Sequence, residues 1–213
     1  MLGPLLALAV VAVPQPVGIR NWVLPDDYPL AALREERSGH TGFRLTVSPS
    51  GKPLRCEIVY LSGWDDLDKR TCQVLMKRAR FKPSFGPDGT PLHFVYRSIN
   101  SFWIPEGPPT KRPRPSTIDV LVMRKELPEG ISDAAEINLA IVVDAAGAMA
   151  DCTPFLPEEM RDAKHAKRAF ELMAPSACSY LKQNYRPKPA ADAEERAVPS
   201  IQNAKVGFTL ISK

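Results

Sequence analysis

Apolar and polar positions alternate along Phe43, Leu45 and Val47, the period-2 pattern of a half-buried strand. "SPSG" follows as a tight turn into a second strand, "LRCEIVY", so the stretch predicts a hairpin. The spacing then changes. In "WDDLDKRTCQVLMKRARF" the residues Leu67, Thr71, Val74, Leu75 and Arg78 fall along one side of a helix. Asp65 and Asp66 occupy its first turn and Lys77, Arg78 and Arg80 its last, an order that complements the helix dipole. Pro83 ends it. "FGPDGTPLHF" is a Pro/Gly turn, and "HFVYRSINSFWI", rich in aromatic and β-branched residues, is a strand.

The same order returns in the second half. With Gly51 set on Gly147, Cys56 falls on Cys152, and Phe43, Leu45 and Val47 meet Leu139, Ile141 and Val143 at one offset. With Cys72 set on Cys178, Leu75 meets Leu181, Arg80 meets Arg186, and Lys82-Pro83 meets Lys188-Pro189. The second copy carries a longer stretch between its cysteines, opens with an additional strand "TIDVLVM" and closes on "KVGFTLIS". Each copy thus reads turn, strand with Cys, helix with Cys, then a basic "R-x-K-P" exit. Two matched cysteine pairs make Cys56–Cys72 and Cys152–Cys178 the economical connectivity, each stapling a helix to the sheet beneath it. The reading is α+β: two small disulfide-stapled modules, residues 21–105 and 118–213, each a helix packed on a short antiparallel sheet. Residues 106–117, "EGPPTKRPRPST", with Pro108, Pro109, Pro113 and Pro115, read as a semi-extended linker.

Composition adds bounds. A hydrophobic fraction of 44% with 24% charged residues is globular, and 22 prolines point to turns and edges. The formal charge of +4 is spread through interspersed acids and bases, and only "KRPR" (Lys111 to Arg114) concentrates it. No aromatic residues interleave that run to stack on bases, so it is a solvated linker and no nucleic-acid partner is expected. Residues 1–20 form an export signal and leader: the apolar run Leu5 to Val13 is too short to span a bilayer, and Val10-Val11-Ala12 offers a small-residue cleavage motif. No Lys or Arg precedes Arg20, so an uncleaved anchor is the alternative, and membrane contact is expected only through that segment. Four cysteines suit an exported protein.

The segment from Tyr28-Pro29 through Gly39, the hairpin-turn Gly51 and the helix exit Arg78-Ala79-Arg80-Phe81-Lys82-Pro83 resembles the C-terminal domain of the TonB family of energy transducers. The resemblance covers nearly all of residues 21–105. Its landmarks are Tyr28, Pro29, Gly51, Arg80, Phe81 and Pro83, and the second copy is a diverged module that lacks a Tyr-Pro start. The resemblance implies a helix on a short antiparallel sheet, a periplasmic location in a Gram-negative cell, and pairing with an extended segment of an outer-membrane transporter.

No motif for catalysis, cofactor or metal is present. His40, His93 and His165 are scattered singly, Ser62 is a turn serine ahead of the helix, and Asp65, Asp66 and Asp68 are helix-start charges. Without a C-x-x-C pair the cysteines are structural, not redox-active. Trp64 and Trp103 are assigned to the core. The chemistry left is that of strand edges, whose unpaired N–H and C=O groups can take up an extended peptide by β-augmentation. The candidate edges are Phe94 to Phe102, with Phe94, Tyr96, Ser98 and Phe102, and Val206 to Ile211, with Val206, Phe208 and Leu210. The alternative is a scaffold whose two repeats pair with each other through these edges.

Overall fold

The computed structural model describes residues 13, 15–86, 88–157 and 160–211. The apolar run from Leu5 and the Val10-Val11-Ala12 motif lie outside the described residues. The strands are β1 (Pro16–Val17), β2 (Gly39–Val47), β3 (Pro53–Tyr60), β4 (Arg80–Phe81), β5 (His93–Phe102), β6 (Val120–Arg124), β7 (Ala134–Val143), β8 (Met149–Phe155), β9 (Ala190–Ala191), β10 (Ala197–Val198) and β11 (Ser200–Leu210). The helices are α1 (Leu30–Arg34), α2 (Asp65–Arg78) and α3 (Lys164–Asn184).

In place of two short antiparallel sheets there is one mixed sheet of seven strands, in the order β3-β2-β5-β11-β7-β8 with β6 also beside β11. The join is a parallel pairing of β5 with β11, in which His93, Phe94 and Val95 meet Ser200, Ile201 and Gln202. Its cause is apolar: Phe94, Val95 and Ile201 are each at most 1% exposed, and two strand edges flanked by such residues are better paired with each other than left in water.

Alternate residues of one strand face opposite sides of a sheet, and the continuous sheet uses both faces. On one face α2 covers Phe43, Leu45, Val47 and Phe94, and this core extends across the join to Ala140 and Ile201. On the other, α3 covers Leu139, Ile141 and Val143 of β7 and Ala204, Val206 and Phe208 of β11. The apolar stripe of α3, from Ala169 through Met173 and Ala177 to Leu181, keeps its helical spacing through the internal Pro175. Cys56 bonds Cys72, tying β3 to α2, and Cys152 bonds Cys178, tying β8 to α3.

Each half supplies the covering that the other half's bare sheet face lacks. Arg44 points away from α2 and is 4% exposed, bonding Glu57 at 2.8 Å and the Lys188 and Pro189 carbonyls at 2.8 and 2.9 Å. Burial pushes the Glu57 carboxyl up, but hydrogen bonds from Lys188 and Arg44 outweigh it and hold it below its usual range. The chain before α1 is pinned as well: the buried Asp27 accepts bonds from Arg70, Arg78 and the Leu24 amide, and Trp22 packs on Phe81 and Tyr96.

Candidate functional site: the open side of strand β5

The two strands expected to be edges fare differently. β11 is bonded on both sides, to β7 over Ser200 to Thr209, to β5 at its start and to β6 from Val206 to Leu210. Val206 and Phe208 therefore sit inside the sheet, fully buried under α3, and offer no edge, while Leu210 ends β11 paired with β6 alone and is 38% exposed. Phe94 is likewise taken up by the join. The sequence pattern could not separate a central strand from an edge strand here, because Gln202, Asn203 and Lys205 imitate the polar side of a half-exposed one.

From Arg97 on, β5 keeps β2 on one side through Phe102, while among the described residues no strand is registered on its other side. β5 and β11 part at this point, and β6 takes the place beside β11. The parting is fixed by one cluster of polar groups. The Arg97 guanidinium forks onto both Asp119 carboxylate oxygens at 2.6 and 2.7 Å and donates to the Asn203 carbonyl at 2.7 Å. Asp119 also accepts the Lys205 amide at 2.8 Å and donates its own amide to the Lys205 carbonyl. Burial alone pulls the Arg97 pKa down; the bonds and charge of Asp119 reverse this and raise it. Next to this clasp lies a cleft of about 560 Å³, bounded by Ile99, Gly42, Ser116 and Asn203; the buried Asn203 Oδ1 has no hydrogen-bond partner among the described residues.

The exposed strand edges differ in their side chains. The outermost strands carry protective features: β3 begins at Pro53, bears Arg55 and Glu57 and pairs irregularly with β2. β8 carries Asp151 and Pro154 and pairs irregularly with β7. Proline, charge and irregular pairing are the usual means of blunting an edge. The open stretch of β5, Arg97 to Phe102, has no proline and registers with β2 without a shift. Ser98 lies in this stretch, and Phe102 ends it, buried against Ala32 and Leu67. Tyr96 is held in a ring cluster with Trp22, Phe43, Phe81 and Phe94.

The remaining landmarks support this strand. Tyr28 stacks its ring 5.0 Å from Phe102 and donates its hydroxyl to the Arg37 carbonyl, while Pro29 precedes the first turn of α1. Gly51, at φ +86°, lies so close to the helix exit that a Cβ would stand 1.9 Å from the Phe81 carbonyl oxygen; the Phe81 amide donates to the Gly51 carbonyl at 3.0 Å. Arg80 bonds the Ala79 carbonyl from an exposed position and Pro83 is exposed after it.

Other candidates are not gathered into a site. His40 bonds Ser101, His93 starts β5 and His165 is exposed on α3; among the described residues no three metal-binding side chains cluster. Ser62 is buried and bonded to the Trp64 amide, and Asp68 accepts from Thr41 and the Ser62 amide. Asp66 is paired with Arg37 and Asp65 is exposed. Trp64 is half-buried beneath Arg37 and Lys111. Trp103 is not core: it is 52% exposed, just past β5. The sequence reading missed Arg97 and Asp119, whose pairing spans the linker and had no local signal. No helix among the described residues is long and apolar enough to cross a membrane.

Residues 25–100 match the family described as Gram-negative bacterial TonB protein C-terminal. The match ends inside β5, so it takes in α1, the β2–β3 hairpin and α2 and leaves β6 to β11 outside it. No curated protein and no solved structure matches the chain.

Proposed function

We propose, with residues 25–100 being a TonB C-terminal domain, that the protein is a non-enzymatic component of the Gram-negative envelope that holds an extended segment of a partner protein along the open side of β5. Its partner is an outer-membrane transporter or another periplasmic protein, and its place is the periplasm. The observation that carries this reading is the second side of β5, which over Arg97 to Phe102 has no strand partner among the described residues. Alternate residues there present main-chain donors and acceptors that an extended segment can satisfy. β6 supports it from within the chain: the sheet already takes up a five-residue strand beside β11, just past the point where β5 leaves it. Residues 118–213 are, in this proposal, a diverged second copy of the same module, for which the matching places of Gly147 beside the Pro187 carbonyl and Gly51 beside the Phe81 carbonyl speak.

A photo-crosslinking amino acid placed singly at Ser98, Ile99 and Ser101 in living cells tests the reading. Capture of an envelope protein at these positions, and not at Val206 or Phe208, is expected. Capture at none of them leaves the second reading, a self-contained scaffold, which the parallel join of β5 with β11 and the core shared across it favour.

A further inference from the structure

Strand β6 is paired on one side only. It lies beside β11 from Val120 to Arg124, and among the described residues no strand is registered on its outer side. The clefts along that side, of about 360 and 510 Å³, are bounded by β6, its flanking residues Asp119 and Lys125, and Tyr180 and Asn184 of α3; a further strand has room there. Unlike β3 and β8, β6 has no proline and keeps its register with its neighbour without a shift. Val120 and Val122 turn into the core under α3. Leu121 and Met123 turn to the opposite face and are each 56% exposed. One exposed apolar side chain is ordinary; two in alternation on an unpaired, proline-free strand make a surface ready for another strand.

The occupant this edge fits is a second β6, because its residues complement themselves in antiparallel register. With Val122 facing Val122 of the other copy, Leu121 faces Met123 twice over, Val120 faces Arg124, and Lys125 faces Asp119. Apolar side chains thus meet apolar ones on the exposed face, and no like charges are opposed. Centring the pair on Leu121 sets Met123 opposite Asp119, and centring it on Met123 sets Leu121 opposite Lys125, so the charges flanking the strand fix the register. We infer that the protein forms a two-fold symmetric dimer through β6, in which the sheet of one copy continues into that of the other. β6 lies outside the residues 25–100 that match the family, and the inference stands apart from the β5 reading.

Sedimentation velocity of the full chain tests it. A species of twice 23.5 kDa is expected as concentration rises from about 1 to 300 µM, the range for a small interface. The variants Leu121→Lys/Met123→Lys and Leu121→Glu/Met123→Glu set like charges opposite each other at both symmetry-related places. Each is expected to weaken self-association about a hundredfold with its urea midpoint unchanged, since both positions are exposed. Mixed in equal amounts, the two variants are expected to form a dimer with each other. A parent chain that stays monomeric over this range overturns the inference, as does a dimer that both variants retain, or a mixture that re-forms none.

Discussion

Asn in place of Asp27 removes the charge that fastens the N-terminal segment to α2. Asp27 is 2% exposed and accepts bonds from Arg70 at 2.8 Å, Arg78 and the Leu24 amide at 2.8 Å. Breaking a fully buried ion pair costs about 3 to 5 kcal/mol; here Arg70 and Arg78 are 36% and 31% exposed, so water screens part of the loss and about 2 to 3 kcal/mol is expected. Hydrogen bonding from Arg78, ahead of the Leu24 amide and the charge of Arg70, outweighs burial and holds the Asp27 carboxyl below its usual range. A carboxyl depressed by folding stabilises above its unfolded pKa of about 3.9 and loses that contribution as pH falls through its folded value. Urea unfolding followed by tryptophan fluorescence, which reads the nearby Trp22, is expected to show the full deficit of Asp27→Asn at pH 7. The gap between the two proteins should narrow steadily below about pH 4. A variant within about 0.5 kcal/mol of the parent at pH 7, or a gap that does not change with pH, refutes the assignment of Asp27 as an ionised anchor.

Gly51→Ala forces a Cβ toward the Phe81 carbonyl at φ +86° and is expected to lower stability by about 3 kcal/mol, while Gly89→Ala, at φ +79° in open space, costs about 1 kcal/mol; urea midpoints separate the two. Replacing Cys56 and Cys72 by Ala opens a loop with a sequence separation of 16 and is expected to cost about 3 kcal/mol, with the Cys152/Cys178 pair, separation 26, slightly more. Arg97→Met leaves the Asp119 carboxylate, 8% exposed, without its cation. The expected loss is about 2 kcal/mol, with faster hydrogen exchange at the Lys205 amide as the local readout.

The first half of the chain was legible because its determinants are local. Alternation at Phe43, Leu45 and Val47, the turn at Gly51 and the helical spacing from Leu67 to Arg78 correspond to β2, its hairpin and α2. The cysteine pairing was legible through the repeat. The joining of the sheet was not, since it depends on strands far apart in sequence, yet one signal pointed to it. The run Leu139-Ala140-Ile141-Val142-Val143 is apolar at every position, as a strand buried on both faces requires, and in the fold α3 covers one side while Ala140 and Val142 meet the core beneath α2. Phe94-Val95 carries the same signal in shorter form. Arg44 had none: nothing near it in sequence indicates that the Lys188 and Pro189 carbonyls will bury it.

The join also changes what the open edge means. A lone module of this kind would leave the whole of β5 unpaired on one side; here β11 takes its first three residues and the Arg97–Asp119 clasp holds the two strands apart beyond them. Without Asp119, β11 and β5 would be free to continue side by side, since the Arg97 side chain would lose the partner that anchors the start of β6 beside it. The join thus closes the first part of β5 against any outside strand, while the clasp keeps the second part from being closed by the chain itself. On the proposed reading, a partner segment would be short, because the edge left to it runs only from Arg97 to Phe102. Its affinity would rest on that length of main-chain pairing.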